Sequence, residues 1–149
     1  MAMPIARGSW VRRRSATEIA AFAEAWLTLA AASVMLKTMP FERVMRSKAP
    51  RRPRRLADSE IERLVWAVTA ARHRSWLRAV CIESALALRS MLRRRGIAST
   101  LHYGIRNDEA EGLQAHVWLS FAGRVVIGGE TAEKFTEVAT FASRAIRGG

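Results

Sequence analysis

Cys81 is the one cysteine of the 149-residue chain, and three histidines accompany it. In cysteine catalysis the thiolate is the nucleophile, and a histidine about 3 Å away accepts the thiol proton and later protonates the leaving amine. His116 is the first candidate for this base because it enters a predicted strand, while His73 and His102 compete for the role. The alternative is a buried free cysteine, which behaves as a small hydrophobic residue, and a histidine that only completes the strand.

The spacing of these residues does not match a metal or cofactor site. No pair has the Cys-x2-Cys or His-x3-His spacing of zinc ligands, and the chain has no glycine pattern of the kind that binds phosphates or dinucleotides. We therefore expect neither a metal nor a cofactor. A single cysteine forms no disulfide within the chain, so a reducing, cytoplasmic compartment is expected.

A reactive Cys81 needs a helix that begins beside it. No glycine or proline interrupts residues 58–95, so periodicity alone would allow one long helix, but most globular helices are shorter. We therefore predict a break near 73–80 and a second helix from Cys81 to the basic residues before Gly96. The unpaired N–H groups at that helix start would favour the thiolate, and the Cys81 N–H would donate to an oxyanion. One unbroken helix would remove this argument.

The segment after Gly96 has the character of an antiparallel sheet. Alternating β-compatible residues predict three strands, a polar stretch over 106–114 predicts a hairpin loop, and a short helix or coil is expected after Thr131. The predicted strands are 98–105, 116–121 and 124–127. Helices followed by antiparallel strands predict an α+β fold.

An apolar stretch over 19–36 follows a basic run at Arg12–Arg14 and raises the question of a signal peptide or membrane span. Glu24 inside the stretch and a capping box from Ser15 to Glu18 favour a helix of a folded domain instead. We predict a buried amphipathic helix without membrane contact. Its packing face would be formed by the large residues at helical spacing, together with one serine: Ile19, Phe22, Trp26, Leu29, Ser33 and Leu36.

The chain is strongly basic, with 25 Lys+Arg against 13 Asp+Glu and a formal charge of +12. Such a charge is typical of proteins that bind nucleic acid, acidic membranes or acidic partners, and also of a merely solvated surface. A connector over 41–57 concentrates it, with seven positive residues between Arg43 and Arg55, and is a candidate docking segment for partners. A basic nucleic-acid- or partner-binding module without catalysis is therefore an alternative function, although no nucleic-acid-binding motif is present.

Five short motifs occur in a fixed order: Cys81–Leu88, Leu92–Ile97, Tyr103–Arg106, Ala115-His116-Val117-Trp118, and Gly123–Gly129. Together they resemble the lasso-peptide leader peptidases, which are transglutaminase-like cysteine proteases. The resemblance is densest over 76–130. It implies a transglutaminase- or papain-like core, with the cysteine at a helix N-terminus and the histidine on a strand. The length of the chain predicts one domain over 1–149, which divides into a helical part (1–40), the connector (41–57), a catalytic core (58–130) and a tail (131–149).

The resemblance implies a function as well. That family removes the leader from a ribosomally made precursor peptide, after which an ATP-dependent cyclase closes the ring. Cys81 would attack the scissile carbonyl, His116 would act as base and then acid, and water would hydrolyse the thioester. The expected partners are the precursor, a separate leader-recognition protein and the cyclase, with no nucleic acid. An acyl transferase on the same fold shares the first half-reaction and stays open.

The third member of the triad departs from the family pattern. An aspartate is expected about twelve residues after the histidine, to orient its ring, but that position is Gly128. Glu130 is the nearest following carboxylate and is our first candidate. A backbone carbonyl, or Asn107 or Asp108 from the hairpin loop, are the alternatives, and Glu130 could equally be an exposed loop acid.

Overall fold

The computed structural model describes residues 15–74 and 81–143 of the chain. The basic run at Arg12–Arg14 and residues 75–80 of the predicted helix break lie outside them. Four helices come first: α1 (Ala16–Thr38), α2 (Phe41–Met45), α3 (Asp58–Arg74) and α4 (Cys81–Arg94). Four strands follow: β1 (Thr100–Asp108), β2 (Gly112–Phe121), β3 (Arg124–Ile127) and β4 (Thr136–Ala142). This order confirms the predicted α+β fold.

Helix α1 begins where the sequence predicts. The Ser15 hydroxyl accepts from the Glu18 N–H, and the Glu18 carboxylate accepts from the Ser15 N–H, which is a complete capping box. By length and composition α1 is also apolar enough to cross a membrane, and 28% of its most apolar 18-residue window is buried in the protein.

The predicted packing face of α1 is wrong in part. Ile19 is 58% exposed and Trp26 is 37% exposed, whereas the buried stripe consists mainly of small residues. These are Ala21, Ala25, Thr28, Leu29, Ala32 and Ser33. The physical reason is that α1 lies against both α3 and α4, and alanines let helix backbones approach closely. The large side chains therefore do not mark the buried face of α1.

The long stretch without glycine or proline forms two helices, as predicted, because α3 ends at Arg74 and α4 begins at Cys81. The connector differs from the prediction in holding one short element, α2. Its last carbonyls are bound by a buried side chain from the centre of α4, since Arg89 donates to Val44 O at 2.7 Å and also to Met45 O. Burial lowers the pKa of Arg89 to about 10. The connector is thereby fixed to the helical layer.

The strands form one antiparallel sheet in the order β3-β2-β1-β4. β1 and β2 pair from Thr100↔Ser120 to Asp108↔Gly112, so the predicted hairpin loop shrinks to residues 109–111. Where a closing helix or coil was expected, the chain instead makes a 3-10 turn at Ala132–Lys134 and then β4. The reason is that β1 offers an unpaired edge, which Thr136–Ala142 covers.

The sheet has two different faces. Leu101, Val117 and Leu119 point into the core that α1, α3 and α4 share, and we call this the core face. Because side chains alternate along a strand, their neighbours point the other way. This second face, here the histidine face, carries His102, Gly104, His116, Trp118, Ser120 and Glu137.

Candidate functional site

Cys81 is the first residue of α4, which is where the sequence places it. Its thiol is free, and the residue is partly exposed. The helix is anchored directly behind it, because Ala85 and Leu88 are fully buried. The position therefore combines a rigid scaffold with access for a substrate and with the unpaired N–H groups of a helix start.

His116 lies on β2 with one ring nitrogen already committed. Its Nε2 donates to the backbone oxygen of Gly128 at 2.7 Å, and the Thr131 hydroxyl lies 3.4 Å from the same nitrogen. A carbonyl oxygen only accepts hydrogen bonds, so Nε2 carries the hydrogen and Nδ1 of the neutral ring carries a lone pair. Within the described part of the chain, Nδ1 forms no hydrogen bond. The ring is thus held in the tautomer that a general base needs.

Gly128 occupies the place of the expected aspartate and orients the histidine through its main chain. Its φ is +78°, and a Cβ built there would lie 2.8 Å from Val117 O and 3.1 Å from Trp118 Cβ. A side chain at this position would therefore displace the strand that carries His116. Of the orienting groups that the sequence leaves open, the backbone carbonyl is the one in contact with the ring.

The other proposed orienting groups have no such contact. Glu130 is exposed and forms no hydrogen bond with His116 among the residues that the structure describes. Asp108 instead accepts from the N–H groups of Ala110 and Glu111, and these two bonds lower its pKa. Asn107 is exposed in the hairpin, opposite Leu113. A role for Glu130 at the site stays a prediction.

His102 competes poorly for the role of base because both of its nitrogens are engaged. Its Nδ1 donates to the Glu137 carboxylate, and its Nε2 accepts from the Ser120 hydroxyl at 2.7 Å. This chain of hydrogen bonds ties β2, β1 and β4 together. His73, in the last turn of α3, is exposed. Of the two histidines on the sheet, His116 is the one with a ring nitrogen that forms no hydrogen bond within the described residues.

Aromatic rings fix the His116 imidazole on the histidine face. Trp118 is 8% exposed and lies between the two histidines, with its ring 5.9 Å from His116 and 5.5 Å from His102. Phe135 contacts His116 at 5.0 Å. Gly104 makes room for the indole, because a Cβ there would lie 2.8 Å from Trp118 Cζ3. Gly104 belongs to the Tyr103–Arg106 motif of the resemblance, which gives it no role, and no sequence motif contains Phe135; their contacts with the aromatic rings reveal both.

Cys81 and His116 lie on elements that pack together, but their side chains are not hydrogen-bonded in the described structure. Helix α4 packs on the core face of β2, whereas His116 points to the histidine face. Pairing between β3 and β2 stops at Leu119↔Ile127, and beyond it the Gly128 main chain lies beside β2, where its carbonyl accepts from His116.

No group of three or more His, Cys, Asp or Glu side chains that could hold a metal ion occurs in residues 15–74 and 81–143. The groups that could carry chemistry are a thiol at a helix start and an imidazole whose Nδ1 forms no hydrogen bond among the described residues. These are the parts of a covalent acyl-transfer site, in which a thiol attacks a carbonyl and a base moves the proton.

A helix that starts at a cysteine and packs on an antiparallel sheet with a histidine strand defines the class of cysteine-dependent acyl-transfer folds. The family model of the Transglutaminase-like superfamily matches residues 24–140, and the chain belongs to that superfamily. Cysteine peptidases and acyl transferases both occur in it. Comparisons with curated proteins and with solved structures gave no match.

Proposed function

We propose that this protein is a cytoplasmic cysteine peptidase that removes the leader from a lasso-peptide precursor. The observation that carries the catalytic part is the hydrogen bond from His116 Nε2 to Gly128 O, which leaves Nδ1 without a hydrogen bond among the described residues, on the strand against which the helix that begins with Cys81 packs. Membership of the superfamily supports a thioester chemistry. The leader-peptidase substrate rests on the motif order from Cys81 to Gly129.

The reaction follows from the two side chains. His116 Nδ1 accepts the Cys81 proton as the sulfur attacks the scissile carbonyl carbon, and the backbone N–H of Cys81 donates to the oxyanion. The C–N bond breaks, His116 returns the proton to the leaving amine, and the acyl group stays on sulfur as a thioester. Water, deprotonated by His116, then attacks the thioester carbon and releases the carboxylic acid and the thiol.

The two side chains must meet for this reaction. Catalytic hydrogen bonds are often long or misaligned in free enzymes and tighten when substrate is bound. We propose that the bound substrate completes the pair, and that the separate leader-recognition protein and the ATP-dependent cyclase act with this protein as partners.

The test is incubation of the protein with the precursor and its leader-recognition protein, followed by intact mass measurement. Wild type should give the leader and core peptides, and Cys81→Ala and His116→Ala should give neither while remaining folded by circular dichroism. His73→Ala is the matched control, because that histidine is exposed on α3. Cleavage by Cys81→Ala would reject the proposal, and a product whose mass includes an added amine would identify an acyl transferase instead.

A further inference from the structure

Six arginines surround one cavity at the end of α4 that is remote from Cys81. The cavity, of about 660 Å³, is here called the arginine pocket. Its volume lies in the range of pockets that hold small molecules or short peptide segments. Its arginines come from the connector and from the end of α4: Arg51, Arg52, Arg54, Arg93, Arg94 and Arg95.

The pocket is built by a specific backbone contact. Gly96 ends α4 with a φ of +83°, and a Cβ there would lie only 2.2 Å from Arg52 O. The Arg54 N–H donates to Gly96 O at 2.9 Å. Two arginine runs that are about forty residues apart in sequence are thus joined by main-chain packing that only glycine permits.

Four of the six arginines form no ion pair within residues 15–74 and 81–143. Arg94 and Arg95 bind Glu24, but Arg51, Arg52, Arg54 and Arg93 form no ion pair with any acid in the described residues. Basic residues are favourable at the C-terminus of a helix, which accounts for Arg93 but not for the connector arginines. Like charges around one cavity repel each other, so an anionic ligand would stabilise the arrangement.

Two of the six arginines, Arg94 and Arg95, bind a carboxylate of the protein itself, that of Glu24. One oxygen of its carboxylate accepts from Arg94 Nε at 3.0 Å and Nη2 at 2.9 Å, and also from Arg95 Nη1 at 2.9 Å, while the other accepts from Arg95 Nη2 at 2.6 Å. Two planar guanidinium groups therefore already hold a carboxylate at the border of the pocket, with the geometry that arginine uses for carboxylates.

We propose that the arginine pocket binds an acidic segment of the peptide substrate, at a distance from the scissile bond. The binding step stands on the geometry above, and its link to cleavage rests on the proposed function. The 14 residues of α4 separate Cys81 from the pocket, which at 1.5 Å per residue is about 20 Å. An extended peptide covers about 3.3 Å per residue, so about six residues would separate the acidic segment from the cut.

Binding is tested on the full chain with Cys81→Ala, so that no cleavage occurs. The probe is a fluorescein-labelled synthetic peptide with four consecutive glutamates, and its control has glutamines in their place. Reversing Arg51, Arg52 and Arg93 to Glu should weaken binding of the glutamate peptide at least tenfold by anisotropy. The control variant reverses three exposed basic residues outside the pocket, Lys37, Arg43 and Lys134, to Glu. It changes the net charge by the same amount as the pocket variant and should alter the affinity for the glutamate peptide by less than twofold.

The proposal would be overturned if both triple variants lost the same amount of affinity for the glutamate peptide, or if the glutamine peptide bound as tightly as the glutamate peptide. It would also be overturned if a DNA duplex bound more tightly than the glutamate peptide and only the Arg51, Arg52 and Arg93 variant lost that binding. The last would identify a phosphate-backbone site. If the triple reversal is unfolded by circular dichroism, the milder Arg→Gln set replaces it, with at least fivefold loss expected.

Cleavage by wild type then separates this inference from the proposed function. Precursor peptides with the glutamates two, six or ten residues from the cut should show the highest kcat/KM at six, mainly through KM, and the triple reversal should remove the preference. If the glutamate peptide binds but no precursor is cleaved, the peptidase function is rejected and the proposal for the arginine pocket is kept. If the cleavage rate depends neither on the glutamate spacing nor on the charge reversal, the proposal for the arginine pocket is rejected and the peptidase function is kept.

Discussion

The imidazole of His116 donates from Nε2 to the main-chain oxygen of Gly128, 2.7 Å away and twelve residues further along the chain. An orienting carboxylate would add charge beside the ring and stabilise the imidazolium, whereas a carbonyl orients the ring with a dipole alone. A histidine held in this way keeps its tautomer but has a weaker electrostatic partner. Its function then depends on where the backbone of Gly128 lies.

Replacing Gly128 by alanine should therefore impair both folding and cleavage. A left-handed φ costs about 1–2 kcal/mol for a residue with a Cβ, and the contact with Val117 O adds overpacking of about 1–3 kcal/mol. Gly112→Ala is the matched control, because its φ of +77° is the same while no atom lies within 4 Å of its Cβ position. The free energy of unfolding in urea should fall more in Gly128→Ala than in Gly112→Ala, and only Gly128→Ala should lower kcat. Equal stability and activity of the two variants would contradict the positioning role.

Glu130→Gln should leave cleavage within about twofold of wild type. The carboxylate is exposed, and among the described residues it has no hydrogen bond to His116, so removing its charge changes little at the ring. The measurement is the pH profile of kcat/KM for the variant and wild type. A fall of tenfold or more, or a shifted acidic limb, would instead make Glu130 the orienting carboxylate of the bound state.

Glu24→Gln should reduce stability at neutral pH by about 1 kcal/mol, which is below the usual value for charged hydrogen bonds because Arg94 is half exposed and solvent screens the pair. The hydrogen bond from Arg95, with smaller effects of Arg94, holds the pKa of Glu24 below its ordinary value of 4.5. A lowered folded-state pKa gives stability that is present above about pH 4.5 and is lost as the pH falls through the folded-state value.

The stability gap between wild type and Glu24→Gln should accordingly narrow from pH 7 to about pH 3. Urea unfolding at both pH values measures it, and Glu133→Gln, which replaces an exposed acid in the 3-10 turn, is the control. A gap that stays constant with pH would show that Glu24 contributes through packing and not through its charge.

The sequence predicts those features that depend on local pattern. The capping box at Ser15, the separation of the two central helices and the start of α4 at Cys81 all follow from residue types within one or two turns. The α1 face and β4 do not, because they depend on what lies beside them. Alanines face α3 and α4 since those helices are close, and β4 forms because β1 has a free edge.

The candidate site shows the same limit. Cys81 and His116 stand out as residue types, but the partner of His116 is a main-chain atom, which every residue possesses and no motif reveals. The sequence gives only an indirect indication of this partner: Gly128 stands where the resemblance leads to an aspartate. The arginine pocket is similarly invisible in sequence, because it depends on the contact between Gly96 and the connector.

Ser84→Ala should be neutral or stabilising, by up to about 1 kcal/mol, although Ser84 lies one turn after Cys81. Its hydroxyl is buried and has no hydrogen-bond partner in the described structure. Removing it therefore removes the free-energy penalty of burying an unbonded hydroxyl in the folded state. Ser90→Ala, on the same helix but partly exposed, gains the same helix propensity and isolates the effect of burial. Urea unfolding measures both variants, and iodoacetamide alkylation of Cys81 should proceed at the same rate in each. A destabilised Ser84→Ala with slower alkylation would mean that the hydroxyl supports the thiol through a bound water.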